Sequence, residues 1–156
     1  MTQNHSDIRT RFIFDDMPIR GMHIRLEKVW HHIVNQKHYP VAIRRALGEL
    51  LAVGSLLSAN LKNEGTLIVQ VQGQGRLKML VVEATSENTV RATARWDETA
   101  EIRDDESLTA LLGENSVFVL THQPKDADPW QGVVPLEGDS IAQMLVNYMK
   151  RYACCR

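Results

Sequence analysis

Residues 40–61 constrain this chain more than any other stretch. Pro40 suits a first helical turn, where its missing N–H would have no partner anyway. The last two-thirds of the segment carry a single charge, Glu49. Leu47, Leu50, Leu51, Val53, Leu56, Leu57 and Leu61 wrap most of a helical circumference. A helix of that kind is buried on nearly all sides, so the remaining chain has to be built around it. Gly48, Ala52, Ser55 and Ala59 fall on one narrow face, where another backbone can approach closely. The segment is too short and too interrupted to cross a bilayer.

The flanking sequence supplies partners for this helix. Arg11-Phe12-Ile13-Phe14 reads as a short strand, and residues 19–26 alternate loosely enough for a second. Leu26, Val29, Trp30 and Ile33 recur at helical spacing over residues 26–36, and His38-Tyr39-Pro40 ends that helix. Residues 66–72 and 76–84 alternate around Leu67, Val69, Val71, Leu77, Met79 and Val81, and Gly73-Gln74-Gly75 joins them as a hairpin. Residues 89–96 alternate most cleanly. Val90, Ala92, Ala94 and Trp96 point one way, and Thr89, Arg91, Thr93 and Arg95 the other. Residues 97–106 form an acidic connection, and Ser107 caps a short helix that stops at Gly113. Residues 116–121 form a strand, 123–129 a polar loop, and 132–136 a short strand that Pro135 marks as an edge or an end. Ser140-Ile141-Ala142-Gln143 opens a final amphipathic helix as a capping box, with Ile141, Met144, Leu145, Tyr148 and Met149 as its apolar face. The fold class expected is α+β: a mixed or antiparallel sheet packed with a long buried central helix and a C-terminal amphipathic helix.

Composition narrows the function classes. The 156 residues suit one domain, and 44% hydrophobic against 24% charged residues allow an ordinary core. A net charge of −1 gives no global positive field to attract nucleic acid. The first residues are polar and lack the apolar stretch of a secretory signal, and no run is apolar enough to span a membrane, so a cytoplasmic protein is expected. Cys154 and Cys155 are adjacent and terminal, which suits free thiols rather than a disulfide framework.

The search for catalytic chemistry finds little. The third glycine of a dinucleotide fingerprint is missing after Gly73-Gln74-Gly75, and a strand follows where a helix would have to open. No Walker or nucleophile-elbow pattern occurs. His31 and His32 are neighbours, so on a helix they diverge by about 100° and cannot share a metal as i,i+4 pairs do. His122 with Asp126 and Asp128 is a loose cluster that reads as solvated loop side chains; an enzyme would need a polar pocket there. Arg91 and Arg95 on one strand face are the only basis for a nucleic-acid or phosphate site, and ordinary pairing with nearby acids competes with it. No catalytic and no metal residues are assigned.

One ordered set of motifs is more specific than any of its parts. Leu47-Gly48-Glu49-Leu50-Leu51-Ala52 leads into Ser55-Leu56-Leu57, Leu61-Lys62 and Gly65. Gln70-Val71-Gln72-Gly73-Gln74-Gly75 follows, then Arg91-Ala92-Thr93-Ala94-Arg95, then Gln131-Gly132-Val133-Val134-Pro135-Leu136-Glu137-Gly138-Asp139. In this order and spacing the chain resembles the N-terminal domain of the heat-shock protein 33 family, the redox-regulated bacterial holdase chaperones. The resemblance runs from about Arg11 to Met149, with Gly48, Glu49, Gly73, Gly75, Arg91, Arg95, Gly132, Glu137 and Gly138 as motif residues.

That resemblance implies an ATP-independent, cytoplasmic chaperone that binds unfolding client proteins and is not an enzyme. It implies an α+β domain that supplies dimer contacts and apolar surface, followed by a linker and a small domain whose four cysteines bind zinc when reduced. Neither Cys154 nor Cys155 matches a zinc cysteine, so no metal, cofactor or redox switch is expected in this chain. Residues 1–149 are expected to form the client-binding domain, incomplete at its C-terminal end, and residues 150–156 a tail foreign to the family. Strands missing beyond that point would leave sheet edges and core faces uncovered, which favours a homodimer or exchange of elements. Leu67, Val69, Val71 and Leu80 are candidates for client contact, with ordinary core as the competing reading. The alternatives are a nucleic-acid-binding domain using Arg91 and Arg95, or a folded but inactive remnant.

Overall fold

The structure, a computed structural model, describes residues 6–153. Cys154 and Cys155 lie outside the described residues. The chain opens with an antiparallel ribbon of β1 (Ile8–Ile13) and β2 (Arg20–Arg25). Phe12 stands opposite Gly21, and its ring lies where a side chain at 21 would be: a Cβ there would stand 2.2 Å from the ring. Helix α1 (Glu27–Gln36) follows. Its first turn has no local side-chain cap, but the Asp7 carboxylate accepts from the N–H groups of Lys28 and Val29 at 2.8 and 3.1 Å. A group twenty-odd positions upstream therefore supplies the acceptor that orphan helix donors need.

Helix α2 (Val41–Ser58) is the central element. Ala42, Ile43, Ala46, Leu47, Leu50, Leu51, Val53 and Gly54 are buried. The helix ends three residues before the apolar segment does. The Asn60 and Leu61 N–H groups donate back to Leu57 and Ser58 carbonyls, and the Asn60 amide donates to the Leu56 carbonyl, so the last orphan acceptors are met in a tight turn. Leu61 still packs on the core from outside the helix.

The main sheet contains β3 (Gly65–Gln72), β4 (Leu77–Thr85), β5 (Val90–Trp96), β6 (Val117–Pro124) and β7 (Trp130–Pro135). Their order is β5-β4-β3-β6-β7, and every pairing is antiparallel. Of the two sheet types expected, the antiparallel one is realised. Helix α3 (Leu108–Leu112) lies in the connection from β5 to β6, with the Ser107 hydroxyl accepting from the Ala110 N–H and Gly113 at φ 75° ending it. Strand β6 runs on through His122 to Pro124, into what reads as loop in the sequence, because Lys125 N–H still reaches the Glu64 carbonyl and the pairing with β3 continues to Gly65. Helix α4 (Ile141–Tyr148) is capped by the Ser140 hydroxyl accepting from the Gln143 N–H. The return half of that box is shifted by one residue: the Gln143 side chain accepts from Asp139 N–H, not from Ser140. A π-helical turn spans Met149–Ala153.

Candidate functional site

The five-stranded sheet has two unlike faces. On the inner face, Leu67, Val69 and Val71 of β3, Leu80 and Val82 of β4, Phe118 and Leu120 of β6 and Val134 of β7 are buried together with α1, α2, α3 and α4 in one core. Gly54 of α2 is the contact point with the sheet: a Cβ there would stand 2.6 Å from Val82 Cγ1 and 3.8 Å from Val69 Cγ2. The client-contact candidates Leu67, Val69, Val71 and Leu80 all lie on this face, none more than 3% exposed. They are core residues, and the surface role considered for them is corrected. Strand alternation places every second residue of β3 under α2, so no client could reach them without unfolding the domain.

The outer face is different in kind. The registers align three cross-strand rows on it, ordered from β5 to β7. The first is Arg91, Glu83, Ile68, Thr121 and Gln131; the second Thr93, Val81, Gln70, Val119 and Val133; the third Arg95, Met79, Gln72, Val117 and Pro135. Val119 is buried, yet it is not part of the helix-side core. Val133 is 54% exposed. No described helix packs on this face, so an apolar band of Ile68, Met79, Val81, Val117, Val119 and Val133 is left among polar side chains. A sheet face of this composition is more apolar than a solvated one needs to be. The signal was present in the sequence: β4 and β6 carry apolar residues at successive positions, breaking the alternation that a half-solvated strand would keep.

Arg91 and Arg95 border this face on β5. The Arg91 guanidinium donates to Glu83 at 2.7 Å, an exposed cross-strand pair that explains it without any ligand. Arg95 lies beside Gln72, Lys78 and Asn115 in a shallow depression at the sheet's corner. The nucleic-acid reading of these arginines gains no support.

The remaining motif residues hold the fold. Trp30 of α1 crosses α2 at Gly48, where a Cβ would stand 3.2 Å from the indole. The small-residue face of α2 is thus where α1 and the β1–β2 ribbon come close: Ile24 lies in a groove with Gly48 and Ala52, and Arg11 donates to the Ala59 carbonyl. Glu49, the one charge in the apolar part of α2, accepts from the Ile141 N–H at 3.1 Å and so anchors the start of α4. Gly73 and Gly75 do not need left-handed backbone. They are small because α3 ends against them: Cβ atoms would stand 2.6 Å from Leu112 O and 2.4 Å from Leu111 O, while the Gln74 and Gly75 N–H groups donate to Leu112 O. Gly132 lies under the Trp130 ring, Glu137 pairs with Arg151 at 2.8 Å, and Gly138 takes φ 125°.

The residues considered for enzyme chemistry are not brought together. His122 faces inward between Leu67 and Trp130, with Nε2 buried and without a partner among the described residues, whereas Asp126 and Asp128 are exposed beyond the strand end. His32 bonds Gln36 along α1 at 2.8 Å. Among the described residues no three His, Cys, Asp or Glu side chains converge on a metal position. A cleft of about 390 Å³ lies between the ribbon, α2 and the β4–β5 turn, lined by Ser55 and Ser58. Its only carboxylate, Asp7, is engaged in capping α1. Two carboxyls are held below the ordinary aspartate range: Asp97 by the Thr99 hydroxyl and N–H, and Asp105 by Arg103. Both are exposed in the acidic connection that follows β5.

The family model described as Hsp33 protein matches residues 7–151. The chain belongs to the Hsp33 family. It is 82% identical over 148 residues to the 33 kDa chaperonin of Neisseria meningitidis serogroup A, covering 95% of this chain and 49% of that protein. It is 48% identical over 153 residues to the 33 kDa chaperonin of Chromobacterium violaceum, covering 97% of this chain and 51% of that one. The crystal structure of the Thermotoga maritima 33 kDa chaperonin, a heat shock protein 33 homologue, superposes with a TM-score of 0.82 at 21% identity, over 97% of this chain and 52% of that one. This Hsp33 chain therefore spans about half the length of the curated relatives it matches. The family match ends two residues beyond the boundary read at 149, and Arg151 is the partner of the motif residue Glu137. No helix among the described residues is long and apolar enough to cross a membrane.

Proposed function

We propose that this chain is the client-binding domain of an ATP-independent holdase chaperone, and that the outer face of the five-stranded sheet is where clients bind. The observation that carries this is the apolar band Ile68, Met79, Val81, Val117 and Val133 around the buried Val119, on which no helix among the described residues packs, while the other face holds the core. Capture of unfolding chains needs adaptable apolar surface and no reacting group, so the domain acts as a binder rather than an enzyme and requires no metal or cofactor of its own. The family relationship supports the same reading. Cytoplasmic residence and a homodimer belong to this proposal. So does the division into a client-binding domain over residues 1–149 and a short tail.

The test is light scattering from a chemically unfolded reporter diluted into buffer with and without this chain, under reducing and oxidising conditions. Suppression in both is expected. No suppression in either would reduce the domain to a folded but inactive remnant and overturn the proposal.

A further inference from the structure

The β1–β2 ribbon crosses α2 without filling the space above it. The pairing of Arg9 with Ile24 and of Arg11 with Met22 puts these four side chains on one face of the ribbon. That face looks onto α2: Ile24 borders a hollow over Gly48 and Ala52, and Arg11 donates to the Ala59 carbonyl. Between these contacts the ribbon and the helix stand apart, and two hollows follow one another along α2. The first, of about 260 Å³, is walled by Trp30, Gly48, Leu51 and Ala52. The second is the cleft of about 390 Å³ over Ser55 and Ser58. Ile24 and Leu26 border both. From Gly48 to Ser58 the helix rises about 15 Å, so the two form a slot of the length and volume that a small molecule occupies.

The two ends of the slot differ in chemistry. Toward Trp30 it is lined by aliphatic and aromatic side chains. Toward the β4–β5 turn it meets Thr85, Asn88, Thr89 and Arg9. Only Asp7 and Arg9 bring charge to its walls. The Asp7 carboxylate accepts from the Lys28 and Val29 N–H groups at the positive end of α1, so its charge is offset where it stands. Arg9 has no ion-pair partner among the described residues. At the floor, Ser55 Oγ is buried and has no hydrogen-bond partner among the described residues, although its neighbour Ser58 donates to the Ser55 carbonyl at 3.1 Å. A buried hydroxyl left without a partner costs stability. Its hydrogen is free to turn toward an acceptor placed in the cleft.

We propose that the slot between the β1–β2 ribbon and α2 binds a slender, singly charged anionic amphiphile of the fatty-acid class. Its chain lies along Gly48 and Ala52 toward Trp30, and its carboxylate meets Arg9 and Ser55. Each part of the ligand answers a feature of the walls. The small residues of α2 let a hydrocarbon chain lie close to the helix, where removing it from water is favourable. The Arg9 guanidinium matches the geometry of a carboxylate, and Ser55 gains the acceptor it lacks. A second negative charge on the head group would find Asp7 and no further cation, which favours a carboxylate over a phosphate. The slot uses none of the residues of the sheet's outer face, so this site stands whether or not clients bind there. Once bound, the ligand would tie the ribbon to α2.

The probe is decanoate, kept below the concentration at which it forms micelles and compared with decanol and decylamine. Titrated into the unaltered protein, decanoate should shift the NMR signals of the Ala52 and Ser55 amides and of the Trp30 indole N–H. It should bind about fivefold more tightly than decanol, with decylamine weaker still. Arg9→Gln should weaken decanoate about fivefold and leave decanol within about twofold. Ser55→Ala should weaken decanoate about threefold while leaving the unfolding midpoint unchanged or raised, because the hydroxyl has no partner to lose. Ala52→Leu fills the slot and should abolish binding of all the probes. The shifts in the unaltered protein decide the matter even if a variant does not fold. No shift at Trp30, Ala52 or Ser55 with millimolar decanoate would overturn the site, and so would equal affinity for all the head groups. Shifts confined to Ile68 and Val81 would overturn it in favour of the sheet's outer face. Binding to phosphatidylglycerol vesicles with none to dispersed decanoate would overturn it in favour of a lipid surface.

Discussion

Leu80 and Val81 are neighbours on β4, yet their substitution should have opposite consequences. Leu80 is fully buried in the helix-side core, opposite Val71 and Ala94. Val81 is half-buried on the outer face between Gln70 and Thr93. Leu80→Ala removes buried carbons at the centre of the sheet, where rigid neighbouring strands leave little room for collapse, so about 3 kcal/mol of stability is lost. For a domain of this size that corresponds to a fall in Tm of roughly 6–12 °C. Val81→Ser exposes no cavity and should cost about 1 kcal/mol or less. Client capture should rank the other way. Assayed well below the lower Tm, Leu80→Ala should suppress reporter aggregation as the unaltered chain does, whereas Val81→Ser should require several-fold more protein. Thermal unfolding by circular dichroism and reporter light scattering measure the two quantities on the same samples. A Leu80→Ala protein with unchanged Tm and lost capture would mean that the inner face is the one offered to clients, and would refute the assignment of faces.

Three further outcomes follow from named contacts. Glu49→Ala removes the acceptor for the Ile141 N–H and should lower stability by about 1–2 kcal/mol, with faster hydrogen exchange confined first to α4. Gly73→Ala drives a Cβ to 2.6 Å from Leu112 O, a backbone atom that cannot step aside, and should cost about 1–3 kcal/mol by denaturant unfolding, whereas Gly132→Ala, which meets mainly the exposed Trp130 ring at 2.9 Å, should cost less. The Asp97 carboxyl is held below its ordinary range by Thr99, so whatever stability it contributes is present above the unfolded pKa and is lost as pH falls through the lowered folded one; Thr99→Ala should move its titration upward, followed by carbon-detected NMR.

Much of this fold can be read from one dimension because its strongest signals are local. The apolar wrap of residues 40–61, the clean alternation of residues 89–96 and the serine caps at Ser107 and Ser140 depend on neighbours within a few positions, and each marks the element it is found in. The misreadings have long-range causes. The extension of β6 to Pro124 depends on β3 lying alongside. The glycines at 73 and 75 do lie in the turn of the β3–β4 hairpin, but their backbone is ordinary; α3 ending against them is what excludes side chains there. The candidate surface was misread for a related reason. Alternation tells which residues share a face, and it named Leu67, Val69 and Val71 correctly as one set; on β4 it grouped Leu77 with Met79 and Val81, but a register shift between Leu77 and Met79 leaves Leu77 and Leu80 in the core and Met79 and Val81 on the outer face. Only the position of α2, fixed by Gly54 against Val82, tells which face is covered. The motifs carried the family, but most of the residues singled out, Gly48, Glu49, Gly73, Gly75 and Gly138, hold helices and turns together, while Arg91 and Arg95 lie on the outer face at its β5 border, outside the apolar band.

The most direct test of that face is photo-crosslinking. A benzophenone amino acid placed at position 81 or 68 looks out from the middle of the uncovered sheet, and one at position 44 looks out from the exposed side of α2. Irradiated with a chemically unfolded reporter, the protein labelled at 81 or 68 should crosslink to the reporter and the protein labelled at 44 should not. Equal crosslinking from all three positions, or crosslinking from 44 alone, would contradict the account.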